Sequence, residues 1–108
     1  MPTEFTVEDV ESRDIAVLRI RGELGLEARR EFAQHVQELL LSPRSKLVVD
    51  LTGVSRIFSI YFGSLVDLSQ QAEGQERSLS VLVSKEQARR FEQASLQVTL
   101  NLVTVGAQ

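Results

Sequence analysis

The sequence contains no cysteine, which removes disulfides, thiolate metal sites and thiol nucleophiles together. It contains one histidine, His35. A zinc site would therefore need mostly carboxylates, and a serine–histidine–acid triad would depend on that one ring, with no G-x-S-x-G turn to present the serine. His35 stands among Gln34 and Gln37 and reads as a surface residue. Basic residues number 12 against 15 acidic ones, a net charge of −3, so the positive footprint of a nucleic-acid binder is missing. No apolar run approaches the roughly 18 residues a membrane span needs. The opening segment MPTEFTVEDVE is too acidic and too poor in apolar residues for a secretory signal. Gly22-Glu23-Leu24-Gly25 has neither the lysine of a Walker loop nor the glycine spacing of a dinucleotide fold. These absences set the expectation of a cytoplasmic, non-enzymatic protein with no cofactor, no metal, no nucleic acid and no membrane insertion.

What is present is an ordinary globular composition. The 108 residues are 43% hydrophobic and 25% charged, enough for one core and one domain over 1–108, and too short for two. Glu4 to Val10 alternates apolar and polar residues, as a half-buried strand does. A polar turn, Glu11 to Asp14, leads into Ile15 to Arg21, whose apolar first half suggests a strand buried on both faces. The short connection makes the two an antiparallel hairpin. Phe32, Val36, Leu39 and Leu40 give residues 26–41 one apolar helical stripe, and Pro43 ends it.

Residues 46–74 are the stretch around which the rest is organised. Lys46 to Leu51 is a short buried strand that stops at Thr52-Gly53. Phe62, Leu65, Val66, Ser69 and Ala72 then fall on one face of a helix over about 59–73, stopped by Gly74. Leu79 to Val83 is a further strand. Ser84 and Gln87 have capping-box spacing before a short helix with Ala88 and Phe91, and residues 99–105 supply the last strand candidate. The order ββαβαβαβ predicts an α/β domain with a mixed, mostly parallel sheet, an N-terminal antiparallel hairpin and packed helices.

At this point the residues carry a resemblance. Leu18-Arg19-Ile20-Arg21-Gly22-Glu23-Leu24, Val48-Val49-Asp50-Leu51-Thr52-Gly53-Val54-Ser55, and the segment Ser84 to Leu96 with its Arg90-Phe91 pair and Ser95-Leu96 step together resemble the STAS domain, named for sulphate transporters and anti-sigma factor antagonists. The similarity spans about 5–105. In the antagonist branch the loop before the middle helix ends Asp-Ser-Ser-Gly-Leu-Gly, and its first serine is phosphorylated by a kinase that doubles as the anti-sigma factor. Here the window is Phe58-Ser59-Ile60-Tyr61-Phe62-Gly63. Ser59 takes the serine's place and Gly63 that of the last glycine, while Phe58 replaces the acid.

The resemblance implies a regulatory module that switches protein partners through the loop and helix at 54–70. Its partner would be a serine kinase and anti-sigma factor, or a related ATPase, that itself binds ATP. A homodimer stays open. The alternative is a phosphorylation-independent subunit of a stress-signalling scaffold or of a lipid-transport ABC system.

The residues themselves point to the same junction. A hydroxyl at Ser59 meets the free N–H groups and positive dipole end of a helix, where a phosphate is stabilised and adds close to two negative charges. The plainer role is an N-cap, with Ser59 Oγ accepting a backbone N–H. Large apolar side chains at Phe58, Ile60 and Tyr61 cannot all point inward at a helix start, so the expected partner surface is Arg56, Phe58, Ser59, Ile60, Tyr61 and Phe62, and Tyr61→Ala is expected to weaken binding without unfolding the domain. Asp50 is read as the anchor of the turn that follows it. Glu86 and Arg90 have i,i+4 pairing distance on a solvated face.

Overall fold

The fold was analysed in a computed structural model that describes residues 2–96 and 99–106. The elements are β1 (Glu4–Val10), β2 (Ile15–Leu24), α1 (Arg29–Leu41), β3 (Lys46–Ile57), α2 (Ile60–Gly74), β4 (Ser78–Val83), α3 (Lys85–Gln93) and β5 (Asn101–Thr104), with single 3-10 turns before β2 and before α1. The strands form one five-stranded sheet in the order β1-β2-β3-β4-β5. β1 pairs antiparallel with β2 and the other pairs are parallel, as the alternation of strands and helices requires.

One face of the sheet carries the core. Ala16, Leu18, Ile20 and Leu24 of β2, Leu47, Val49 and Leu51 of β3, and Leu79, Val81 and Val83 of β4 join Phe32 and Leu39 of α1, Leu65, Leu68 and Ala72 of α2 and Phe91 of α3 in a single buried cluster. The alternate positions lie on the opposite face. There Arg19 is paired with Glu8 and lies 3.6 Å from Asp50, and the Asn101 amide donates to the Ser80 hydroxyl at 2.9 Å. The apolar start of β2 is buried on both faces, as expected: Ala16 and Leu18 lie in the helix-covered cluster, and Val17, on the opposite face, is 9% exposed.

β3 is longer than its sequence suggests. Thr52-Gly53 reads as a stop, but the strand runs on to Ile57. Its register with β2 shifts between Arg19 and Arg21 and again between Gly22 and Glu23, with an extra residue on β3 each time, so the apparent turn is a bulge. Asp50 builds it: its Oδ1 accepts the Thr52 N–H at 2.9 Å and the Thr52 hydroxyl at 2.6 Å, the anchoring role expected of it. Glycine is needed at 53 because a Cβ there would lie 2.9 Å from Arg21 Cγ and 3.2 Å from the Ile20 carbonyl.

The helix ends follow a common design. Glu76 N–H donates to Glu73 O and Arg77 N–H to Ala72 O; Ser95 N–H donates to Glu92 O and Leu96 N–H to Phe91 O. Both are Schellman closures, with Glu76 and Ser95 in the left-handed region at φ 58° and 59°. Gly74, expected as the stop of α2, is its last helical residue, and the turn falls on Glu76. Arg77 then closes the C-terminus of α1 by donating to the carbonyls of Leu40, Ser42 and Arg44 at 2.7, 2.7 and 3.1 Å.

Candidate functional site

Beyond the bulge, β3 pairs only with β2, because its ladder to β4 ends at Asp50. The unpaired carbonyls of this tail are taken by side chains of α3. Gln87 Nε2 donates to Leu51 O at 2.7 Å and to Val54 O at 2.9 Å, and Arg90 donates to Ile57 O at 2.9 Å. The other end of the Gln87 amide is also occupied. It accepts the Ser84 N–H at 2.8 Å while Ser84 Oγ accepts the Gln87 N–H at 3.1 Å. The capping box read from the sequence thus forms, and the same glutamine braces the strand tail that leads to α2. Arg90 was expected to pair with Glu86; its guanidinium goes instead to Ile57 O, a carbonyl beyond the end of the β3–β4 ladder.

The chain enters α2 through Phe58, whose N–H donates to Leu24 O at 3.0 Å. Ser59 occupies the N-cap position and is exposed, as expected. Its hydroxyl, however, makes no capping bond. The reason is local: Ser59 has φ −62° and ψ −20°, already helical, whereas a capping side chain folds back over the first turn from an extended backbone. The carbonyls of Phe58 and Ser59 instead accept the N–H groups of Tyr61 and Phe62 at 3.1 and 3.0 Å. Among the described residues the Ser59 hydroxyl has no hydrogen-bond partner, and the residue is exposed.

The four large side chains around it divide differently from expectation. Ile60 is 44% exposed and Phe58 half-buried. Tyr61 is 1% exposed and belongs to the core: its ring meets Phe32 edge-on at 5.0 Å and its hydroxyl donates to Gly25 O at 2.5 Å. Burial pushes its phenol above the ordinary value, against the opposing pull of Arg29. Phe62 is also buried, tilted against Phe91 at 4.6 Å. Tyr61 and Phe62 therefore leave the expected surface. Tyr61, Leu65, Leu68 and Ala72 lie at i, i+4, i+7 and i+11, a second helical stripe in the sequence that is as regular as the first.

What reaches the surface is a small apolar patch between two cations. The Arg56 guanidinium lies 5.7 Å from the centroid of Phe58 and the Arg90 guanidinium 5.7 Å from that of Phe62, both in cation–π range. Leu26, 54% exposed, follows the Gly25 carbonyl that holds Tyr61. Arg90, read from the sequence as part of a solvated face, is the member missing from the expected surface. His35 is half-covered, stacked on Phe5 at 4.8 Å with Nδ1 2.8 Å from Glu31 O. Among the described residues no group of three or more His, Cys, Asp or Glu side chains is placed to hold a metal, and no helix is long and apolar enough to cross a membrane.

The family model described as "Mlab, STAS domain" matches residues 8–104. No curated protein matches the sequence. Among solved structures, an anti-sigma factor antagonist from Mycobacterium paratuberculosis is similar with a TM-score of 0.85 at 21% identity, over 96% of this chain and 87% of that one. SpoIIAA in its unphosphorylated form gives 0.72 at 18% identity, over 94% and 89%. The Bacillus cell fate determinant SpoIIAA in its phosphorylated form gives 0.67 at 17%, over 94% and 92%. At these identities the likeness is one of fold.

Proposed function

The chain belongs to the STAS domain family, and from that premise we propose that it is a non-enzymatic regulatory module that binds a protein partner through the start of α2. The observation that carries this reading is the exposed pair Ser59 and Ile60, presented on a braced helix entry between Arg56 on Phe58 and Arg90 on Phe62. A small apolar centre rimmed by arginines suits a protein surface. The partner we propose is a serine kinase that doubles as an anti-sigma factor, or a related ATPase, with ATP bound on the partner's side.

Ser59 is the proposed switch. Its free hydroxyl would attack the γ-phosphorus of ATP, lose its proton to a base of the kinase and release ADP. The product would place about two negative charges beside Ile60. A partner shaped to the unmodified patch would then have to desolvate a phosphate, and binding would be lost. Incubation with the kinase and ATP tests this: intact mass should gain one phosphate, and Ser59→Ala should abolish the gain. The binding reading has its own test. Ile60→Glu should weaken capture of the partner by about tenfold or more with an unchanged unfolding midpoint, and equal affinity would overturn the reading.

A second reading keeps the surface and drops the switch: a phosphorylation-independent subunit of a signalling scaffold or an ABC transporter. Phe58 favours it. Where the antagonist branch has an acid, this chain has a ring covered by Arg56, an apolar and cationic contact in place of a negative one. Absence of a mass gain on Ser59, with Ile60→Glu still impairing capture, would select it.

A further inference from the structure

β1 and β5 are the two edges of the sheet, and they are guarded differently. β1 carries Glu4, Glu8 and Asp9, acids that repel a like strand. β5 and the residue after it read Asn101-Leu102-Val103-Thr104-Val105, without a charge. Two of the large apolar side chains left at the surface, Val103 at 41% and Val105 at 46% exposure, lie here. Among the described residues nothing pairs beyond this edge.

The hydrogen-bonding phase of β5 is fixed. Val105 N–H donates to Val83 O at 2.8 Å, and Val103 lies opposite Leu82 in the parallel ladder. Successive residues of a strand turn their N–H and C=O groups to opposite sides. Val103 and Val105 therefore face β4, and Leu102 and Thr104 turn their backbone groups outward. Leu102 packs its side chain on the core, so Val103 projects on the open face of the sheet.

We propose that this edge pairs with the β5 edge of a second copy of this chain, antiparallel, about a two-fold axis through Val103. In that register Leu102 of each copy faces Thr104 of the other, and each pair exchanges N–H···O bonds in both directions. Val103 meets Val103 at the non-hydrogen-bonded position, where side chains come closest. The second copy is the occupant these observations favour. The edge has no charge with which to select a foreign strand, and it does not repel itself. Its outward groups also close symmetrically on their own image, as an isologous contact must. The rival arrangement, β5 on the acidic β1 of another copy, is head-to-tail and does not close.

The strand is short, so the contact is smaller than the roughly 1,200 Å² of a stable interface, and a fast, concentration-dependent equilibrium is expected. Sedimentation equilibrium of the full chain over a concentration series reads it directly. The wild type should move from monomer toward dimer mass. Val103→Lys and Val103→Glu each place like charges opposite one another and should lower the association constant about tenfold or more; an equimolar mixture of the two should recover it. Both substitutions sit on the open face, and far-UV circular dichroism verifies their fold. Thr104→Pro is the second variant. It removes an outward N–H without taking a bond from the ladder to β4, and it should also lower association. Monomer mass at every concentration, undiminished association of Val103→Lys, or growth past the dimer each overturns the proposal. Failure of the mixture to recover the dimer overturns the axis through Val103.

Discussion

Tyr61 shows how much one side chain at the helix entry determines. Its ring fills the space beside Phe32 and its hydroxyl ties α2 to the end of β2 through Gly25 O. Tyr61→Phe keeps the ring and leaves that carbonyl with the Ala28 N–H alone, at 3.3 Å, and should cost about 1 kcal/mol. Tyr61→Ala opens a cavity at a buried position and should cost about 3–5 kcal/mol, so that lost partner binding in this variant would report unfolding. Urea midpoints of the two variants check both values. Asp14 is a second local tie. Its carboxylate accepts the Ser45 hydroxyl and, at 3.2 Å, the Ser45 N–H. These bonds, more than the nearby Arg44 and Lys46 charges, hold its pKa below the usual 3.8. The folded state therefore binds the proton less tightly than the unfolded chain. The stabilisation is present above the unfolded value and is lost as pH falls through the folded one. As pH falls through 3.8 and below, wild type should lose stability more steeply than Ser45→Ala, in which the hydroxyl bond is gone; parallel acid titrations of the urea midpoint test it.

At the scale of elements, the tail of β3 is the feature on which the site depends. It has a strand neighbour on one side only, and α3 supplies side chains on the other. Gln87 serves both elements, closing the N-terminus of α3 and holding two β3 carbonyls. Gln87→Ala should cost about 1–3 kcal/mol, more than the loss of the cap alone. It should also weaken partner binding at temperatures where the domain stays folded, because Phe58 and Ser59 follow directly on the released segment. Binding by titration calorimetry, beside thermal unfolding, separates the two effects; a variant with lower stability and unchanged affinity would show that the brace does not position the site. The capping box was legible because serine and glutamine three residues apart act within one turn. The further role of Gln87 was not, since its partners at 51 and 54 are far away in sequence.

For the whole molecule, the layered arrangement leaves different chemistry on different sides. Helices cover one face of the sheet, and the other holds the ion pairs of Arg19 and the Val103 position. The proposed partner patch lies where β2, β3, α2 and α3 converge, and the proposed self-pairing edge is β5, formed by other residues. The two tests should therefore be independent: Val103→Lys should bind the partner as wild type does, and Ile60→Glu should associate with itself as wild type does. Cross-talk between them, read by the same capture and sedimentation measurements, would show that the surfaces are coupled.

The sequence alone determined the element order, the hairpin, the Asp50 turn anchor and the place of Ser59 at a helix start. Each is set by periodicity or by hydrogen bonds spanning a few residues, and such information is complete within a short window. Only the tertiary structure decided which of Phe58, Ile60, Tyr61 and Phe62 face outward. Two overlapping stripes of α2 compete for the core, and the outcome rests on Phe32, Gly25 and Phe91, which the fold brings from elsewhere in the chain. It also decided that β3 continues past Thr52-Gly53, because a bulge and a turn look alike until a neighbouring strand and the side chains of α3 take up the backbone groups beyond it.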